Sequence, residues 1–324
     1  MRRRDLLLGA AAGLAAPAVG LHAESAWPRQ PLRLVVPFPP GAANDTLGRA
    51  IADQLSPRLG QPVIVENRAG AGGAVGSETV ARAAPDGYTL LLGHIGTLAV
   101  NPAIYPQLPY DVLKDFAPVA MIAKVPNVLV VHPKLPFQDV KSFVDHVRAH
   151  PGELRYCSAG NGSAGHIVML AFLNALGLEM EHVPYRGLGP ALTDLIAGRV
   201  DVTLGGVPTV MPFVQQNQLR ALAVSSTERV ASLPEVPTVA EAVSPGFDVV
   251  PWYGIAAPAA TPPPIIMRIN QEVNASLNSA AVKQRLEQEG AVPAPMTPEQ
   301  FGSLIRTELD RWAKLIHEAG VTAN

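Results

Sequence analysis

The stretch LRLVVPFPPGAANDTLGRAIADQL, residues 32–55, predicts how its part of the chain folds. It opens with a β-run of leucine and valine that Pro37 ends, and a loop of proline, glycine and alanine follows. A helix is predicted next, with Asn44 or Asp45 as its N-cap and Pro57 at its end. Its apolar residues recur at helical spacing on one face: Leu47, Ala50, Ile51 and Leu55.

Two more strands follow this unit. Residues 63–65 form a β-run, residues 69–73 form a glycine loop, and a short helix runs to Ala84. The next turn leads into a strand over residues 88–92. Strands that alternate with helices in this way are typical of a parallel α/β sheet.

The same alternation starts again after Pro126 and predicts a second sheet. Its strands are predicted at residues 128–131, 154–157, 181–184, 200–204 and 219–224. After one more strand at residues 252–256, only helices are predicted, and they must pack on an existing sheet to bury their apolar faces. The first sheet is their expected host.

This order predicts two α/β lobes joined by two hinge strands. Residues 27–126 and 252–324 form an outer lobe I, and residues 127–251 form an inserted lobe II. An insertion tied to its host by two strands suits a clamshell that closes on a ligand.

Residues 1–26 are predicted to be a signal peptide. Three arginines at positions 2–4 precede an apolar stretch of about 14 residues, which is too short to span a bilayer. Cleavage is expected near Ala23 or Ala26. The pair Arg3-Arg4 resembles a twin-arginine export signal, and an ordinary Sec signal is the alternative. Both predict a periplasmic protein.

Composition excludes some classes of protein. The net charge is −2, and no basic block follows the first residues, so nucleic acid is not an expected partner. The single cysteine, Cys157, lies in an apolar strand pattern and is expected to be a buried core residue. No spacing of cysteine, histidine and carboxylate residues predicts a metal site, so neither metal nor cofactor is expected.

One glycine-rich loop raises the question of catalysis. Residues 160–165 fit the pattern G-x-G-x-x-G of dinucleotide-binding proteins, but the next strand ends without the acidic residue that this site needs. A hydrolase is also disfavoured, because Asn161, not glycine, stands two residues before Ser163. His166 follows Ser163 on the same predicted helix, and no nearby carboxylate would orient it. The sequence therefore predicts that the protein is not an enzyme.

Four loops are better explained as anion sites. They lie at residues 41–44, 93–97, 158–163 and 205–209, and each follows a strand and precedes a helical segment. A helix N-terminus offers unpaired N–H groups and a partial positive charge, so it can hold an anionic oxygen without arginine. Two of the loops fall in each lobe, on the face where α/β sheets bind ligands. A small carboxylate held between the lobes is the ligand expected from this arrangement.

Several motifs in order along the chain carry a family resemblance. They are Pro37–Gly41, Val65–Gly73, Ala84–Thr89, Tyr156–Ser163, Val183–Tyr185 and Leu233–Thr238. Together they resemble the Bug family, the TctC-type extracytoplasmic receptors of tripartite tricarboxylate transporters. The resemblance implies a type II periplasmic-binding-protein fold, no catalysis, and a dicarboxylate, tricarboxylate, aromatic acid or acidic amino acid as ligand. The chain is expected to be a monomer. It implies a membrane permease as partner, and a membrane sensor kinase is the alternative.

The resemblance also implies which residues touch the ligand. In lobe I these are Pro40, Gly41, Ala42, Ala43, Asp45, Gly96 and Thr97, and in lobe II they are Ser158, Gly160, Asn161, Ser163, Gly205 and Pro208. Four neighbours in the same motifs and loops are added as candidate contacts: Phe38, His94, His166 and Tyr185.

Three of these candidates have a second interpretation. Asp45 could serve as a helix cap without touching the ligand, His94 could be an exposed loop residue, and His166 could lie on the helix surface. The sequence also departs from the family pattern, because Ala42 replaces the second glycine of the first loop. Gly205-Gly206 stands where members carry asparagine or aspartate. Both departures leave the identity of the ligand open.

Overall fold

The computed structural model describes residues 27–41, 43–288 and 290–319. The predicted signal peptide, residues 1–26, and the candidate contact Ala42 lie outside the described residues. Over the described ranges, no helix has the length and apolar character needed to cross a membrane.

The strands of the described residues form two sheets. They are β1 Leu32–Val36, β2 Val63–Asn67, β3 Thr89–His94, β4 Phe116–Lys124, β5 Asn127–Val131, β6 Arg155–Ser158, β7 Glu181–Pro184, β8 Val202–Gly206, β9 Arg220–Val224, β10 Trp252–Pro258 and β11 Val292–Pro293. The first sheet has the order β11-β4-β10-β3-β1-β2, and the second has the order β7-β6-β8-β5-β9. The lobe boundaries at residues 126/127 and 251/252 stay a prediction.

Helices flank both sheets. They are α1 Ala43–Leu59, α2 Ala74–Ala81, α3 Asn101–Ile104, α4 Val112–Asp115, α5 Val140–Ala149, α6 Ala164–Leu176, α7 Leu188–Ile196, α8 Val207–Gln215, α9 Val239–Ala242, α10 Pro263–Leu277, α11 Ala280–Gln288 and α12 Pro298–Ala319. A 3₁₀ turn at Ala71–Gly73 precedes α2, and a π-helical turn at Gly96–Val100 precedes α3.

The first three strands, β1, β2 and β3, are parallel as predicted, and both complete sheets are mixed. β1 runs parallel to β2 and β3, whereas β10 runs antiparallel to β3 and β4. In the second sheet β6 is parallel to β7 and β8, and β5 is antiparallel to β8 and β9. Hydrophobic periodicity predicts that a strand exists and says nothing about its direction.

Three local predictions also need correction. β4 was missed, because Pro118 interrupts its apolar run and proline argues against a strand. The two-residue strand β11 was missed in the region predicted to be all helix. Pro57 does not end α1, which continues to Leu59. A proline costs the helix one hydrogen bond, and buried Leu55 and Leu59 keep the last turn packed on the core.

Buried residues connect the two sheets. One core cluster includes Leu91 and Ile95 beside β3 together with Phe143, Phe172 and Trp252. Because its members come from elements that flank both sheets, the two halves of the molecule share apolar packing. A second cluster lies between α1, α10 and the first sheet, and a third lies around α7 and α8.

Candidate functional site

The loops at the carboxyl ends of four strands face each other across the molecule. We call them the β1, β3, β6 and β8 loops: residues 37–41, 95–97, 159–163 and 206–208. A Cβ placed on Gly96 of the β3 loop would overlap the carbonyl oxygen of Gly162 in the β6 loop. A Cβ on Gly72 would lie 3.0 Å from the carbonyl oxygen of Asn161. The two lobes therefore meet backbone to backbone at these glycines.

Asp45 holds the β1 loop in place. Its Oδ2 atom accepts the Gly41 N–H at 3.0 Å, and its Oδ1 atom accepts the Asn67 side-chain N–H at 2.9 Å. Arg49 pairs with the same carboxylate at 2.9 Å, and Asn67 also donates to the Phe38 carbonyl at 3.1 Å. The Gly41 N–H is thus already hydrogen-bonded to a side chain of α1. A contact of Asp45 with a ligand stays a prediction.

The charge of Asp45 depends on this network. Burial would raise the pKa of the Asp45 carboxyl, but hydrogen bonds from Arg49, Gly41 and Asn67 outweigh it and lower the pKa below its ordinary value of 3.8. The unfolded chain therefore binds this proton more readily than the folded one. The carboxylate stabilises the fold above about pH 4, and that stabilisation is lost as the pH falls through the lowered folded-state pKa.

We expect Asp45→Asn to lower the free energy of unfolding at pH 7 by about 1–2 kcal/mol, because charge-assisted hydrogen bonds are lost. The difference from wild type should shrink as the pH falls below about 4 and through the lowered folded-state pKa, because the wild-type carboxyl then also becomes protonated. Urea unfolding across this pH range measures it. Asp53→Asn, on the exposed face of the same helix, is the control. An equal loss at every pH would contradict the charge argument.

His94 is a buried residue at the end of β3, and its interpretation as an exposed loop histidine was wrong. Only 1% of the surface of His94 is exposed to solvent. Nδ1 accepts the Thr97 N–H at 3.0 Å, so the ring proton lies on Nε2. Burial lowers the pKa of His94 to about 4, and the ring packs against Phe38 at 4.7 Å between centroids. His94 therefore shapes the β3 loop as a neutral side chain.

A stack of aromatic rings supports the β6 loop. The rings of Tyr156, His182 and His166 follow one another at centroid distances of 4.6 and 4.3 Å. The Ser158 hydroxyl lies 2.7 Å from Nε2 of His182, and the Gly162 N–H donates to Nδ1 of His166 at 3.2 Å. Each histidine thus fixes one end of the loop.

Burial keeps both histidines of this stack neutral. It lowers the pKa of His166 to about 3, with a smaller effect of His182, and it lowers the pKa of His182 to about 4. His166 is 2% exposed, so its interpretation as a helix-surface residue was wrong. His182 was missed by the sequence analysis, because its contact with Ser158 joins β6 to β7.

Three buried polar atoms near these loops have no hydrogen-bond partner among the described residues. They are Nδ2 of Asn44, Oγ of Ser163 and Oδ1 of Asn101. Asn44 lies in the first turn of α1, and Ser163 is the N-cap of α6 in the opposite lobe. Asn44 Nδ2 and Ser163 Oγ can each donate a hydrogen bond, whereas Asn101 Oδ1 can only accept one.

Asn101 contacts the backbone of Gly72 in lobe I and lies close to Gly162 in lobe II. Its Nδ2 atom donates to the Gly72 carbonyl at 3.1 Å, and its Oδ1 atom would lie 2.7 Å from a Cβ on Gly162. Neither Asn44 nor Asn101 was among the predicted contacts. A signal for Asn44 existed, since it stands in the first turn after the glycine loop. Asn101 had none, because the π-helical turn that places it was not predicted.

The remaining candidates lie at the margins of these loops. The Tyr185 hydroxyl donates to Asp194 at 2.7 Å, within lobe II, and burial with Asp194 raises its pKa to about 12. Gly205 is buried within β8, where a Cβ would lie 2.5 Å from Val210. Pro208 lies half-buried in the first turn of α8. Ligand contact at all the predicted positions stays a prediction.

The four loops offer neutral backbone and amide groups, and the Asp45–Arg49 ion pair lies beside the β1 loop. The sequences of the four loops contain no lysine or arginine. Helices α1, α6 and α8 follow the β1, β6 and β8 loops along the chain, so the positive ends of their dipoles lie at these loops. Such a site favours a small anion that several N–H and O–H donors can surround.

Residues 47–321 match the family model described as Tripartite tricarboxylate transporter family receptor. The chain belongs to this family. The Bug protein BugT of Bordetella pertussis is 40% identical over 312 residues, which cover 96% of this chain and 94% of BugT. The resemblance to the Bug family is confirmed.

Solved structures of relatives have the same fold. The R. palustris protein Rpa4515, determined with adipate, has a TM-score of 0.86 at 37% identity, covering 92% of this chain and 99% of that one. MatC from Rhodopseudomonas palustris, determined with bound malate, has a TM-score of 0.82 at 36% identity, covering 90% and 100%. These neighbours confirm the periplasmic-binding-protein fold with two α/β lobes. This TctC-type chain is thus a solute-binding receptor.

Proposed function

We propose that this receptor binds a small organic acid with two carboxylates in the cleft between its lobes. The main support for this proposal is a pair of buried donors without a hydrogen-bond partner among the described residues. They are Asn44 Nδ2 and Ser163 Oγ, which lie at helix N-termini in opposite lobes. Two relatives of known structure hold adipate and malate, which are dicarboxylates. Tricarboxylates, aromatic acids and acidic amino acids belong to the same ligand class and are the competitors in the test below.

We further propose that the loaded receptor works in the periplasm and delivers its ligand to a membrane permease of the tripartite tricarboxylate type. The family description supports a permease as partner. The monomeric chain would act without catalysis. In support, the Ser163 hydroxyl makes no hydrogen bond among the described residues, so His166 does not activate it as a nucleophile.

We expect adipate or malate to stabilise the mature protein, residues 27–324, after bound ligand has been removed by unfolding and refolding. Stabilisation should reach about 2.7 kcal/mol at a hundredfold excess over Kd. Thermal unfolding and calorimetry against mono-, di- and tricarboxylates, glutamate and neutral sugars measure it. A response to sugars and to none of the acids would contradict the proposal.

Two variants localise the site in the same titrations. Asn44→Ala and Ser163→Ala should each weaken binding about 10- to 100-fold, which corresponds to the loss of one hydrogen bond to a charged group. Asn174→Ala, on the exposed side of α6, and Ser303→Ala, exposed on α12, are the matched controls. If both site variants bind like wild type, these two donors do not touch the ligand.

A further inference from the structure

A group of metal-ligating side chains lies on lobe II at the amino end of β6, the opposite end of that strand from the β6 loop. It consists of His146, His150 and Glu153. We propose that these three side chains bind one Zn²⁺ ion. This proposal is independent of the carboxylate site, because no residue is shared between the two.

The spacing of the ligand atoms suits a zinc ion. His146 and His150 are four residues apart at the end of α5, so both rings lie on one face, stacked at 4.5 Å between centroids. Nε2 of His146 lies 3.5 Å from Oε1 of Glu153, and one ligand atom from each residue lies within 4.8 Å of the other two. Metal–ligand distances of about 2.0–2.2 Å in a tetrahedron place ligand atoms roughly 3.3–3.6 Å apart. Small side-chain rotations would close the remaining gap.

The histidine rings are already oriented. Nδ1 of His150 lies 3.1 Å from the His146 carbonyl oxygen, which can only accept, so Nδ1 carries the proton and the Nε2 lone pair is free. A histidine that donates its other ring N–H to a carbonyl is the usual arrangement at metal sites. The His146 ring packs against Phe137 at 4.9 Å between centroids, which limits its rotation.

A turn brings the third ligand back to the helix. Gly152 has a φ of 75°, a conformation that glycine adopts without strain, and its N–H donates to the Glu179 carbonyl at 3.1 Å. The Glu153 N–H then donates to the His150 carbonyl at 3.2 Å. These bonds place the backbone of Glu153 beside the histidines. All three ligands lie within residues 146–153, in the local pattern H-x3-H-x2-E.

The electrostatic surroundings also suit a cation. The three residues stand at and just beyond the C-terminus of α5, where the helix dipole favours positive charge. The neighbouring Asp145 is paired with Lys141 at 2.6 Å and with Arg148 at 3.6 Å, which leaves these three side chains with a net charge of +1, so the Glu153 carboxylate is the negative charge available to a cation. Two imidazoles and one carboxylate favour zinc or a similar transition metal over Ca²⁺ and Mg²⁺, which prefer oxygen ligands.

The test uses the mature chain, residues 27–324, without an oligohistidine tag and freed of metal by a chelator. Calorimetry with Zn²⁺ should give one ion bound per chain, and Ca²⁺ and Mg²⁺ should give no comparable heat. Co²⁺ should give the intense visible absorption of a tetrahedral site, and Zn²⁺ should remove it. Adipate or malate titrations should be the same with and without Zn²⁺, which separates this site from the proposed carboxylate site.

Variants decide which residues hold the ion. His150→Gln and Glu153→Gln are exposed changes that leave the core intact, and each should weaken Zn²⁺ binding at least about tenfold. His146→Gln should do the same. His132→Gln, a half-buried histidine elsewhere on lobe II, is the matched control and should bind like wild type. No saturable Zn²⁺ binding, or binding that His150→Gln and Glu153→Gln both leave unchanged, would overturn the proposal.

Discussion

Replacing Gly96 by valine should weaken carboxylate binding about 100-fold or more. Gly96 opens the π-helical turn after β3, and its α-carbon faces the Gly162 carbonyl of the other lobe. Because a Cβ at this position overlaps that oxygen, the lobes can no longer approach as closely as they do here. A ligand that needs donors from both lobes would then be held by one of them. The apparent affinity falls in proportion to the fraction of molecules that can close.

The loss of carboxylate affinity should increase with the size of the side chain at position 96. The overall shape of the protein with ligand should change as well. Gly96→Ala adds only the first methyl and should fall between wild type and valine. Calorimetry gives the affinities, and small-angle scattering should show ligand-induced compaction for wild type that valine removes. Gly189→Ala is the control, because a Cβ there meets no atom within 4 Å.

Part of the Gly96 effect could come from its own lobe, since the added Cβ also overlaps the His94 ring. Circular dichroism and thermal unfolding of the unliganded variant separate the two causes. If Gly96→Val is folded, is nearly as stable as wild type, and still binds the carboxylate and compacts normally, the lobes do not close through the Gly96–Gly162 contact.

Local sequence signals predicted much of the fold. β1 ends at Val36, just before Pro37, and α1 begins at Ala43, two residues after Gly41, so the proline and glycine residues were enough to locate this unit. β4 could not be found in the same way, because its strand conformation is imposed by its two neighbours β10 and β11 despite Pro118. The direction of β10 likewise depends on tertiary structure, because β10 enters the first sheet after the chain has passed through the second.

The candidate site was predicted less completely than the fold, for a physical reason. Loops with glycine before a helix are local features, so the β1 and β6 loops could be named. The burial of His94 and His166 is a tertiary property, and it decides that both rings are neutral. The role of His182 depends on the pairing of β6 with β7, and that of Asn101 on an unpredicted turn.

The same dependence on tertiary packing makes the C-terminal helix important for the site. α12 packs on β4 and on the π-helical turn that carries Gly96, and Trp312 shares a core cluster with Leu98 and Ile104. Trp312 is fully buried, and its Nε1–H donates to Glu308 at 2.8 Å. This helix therefore supports the β3 loop from behind.

We expect Trp312→Ala to lower the free energy of unfolding by about 3–5 kcal/mol, through lost burial and the cavity that remains. Glu308, itself buried, also loses a hydrogen-bond donor, and this adds to the cost. Single domains are stable by only about 5–15 kcal/mol, so the variant should unfold at a much lower urea concentration. Lys314→Ala, exposed on the same helix, should change the stability by less than about 0.5 kcal/mol.

Trp312→Phe separates support of the β3 loop from general stability. It keeps most of the buried ring and should restore much of the lost stability, although it still lacks the donor to Glu308. If α12 supports the β3 loop, carboxylate affinity should fall from wild type to phenylalanine to alanine under conditions where all three are folded. A large loss of stability with unchanged affinity would mean that the Gly96–Val100 turn keeps its position without Trp312. A loss below about 1 kcal/mol in Trp312→Ala would mean that α12 is not part of the lobe I core.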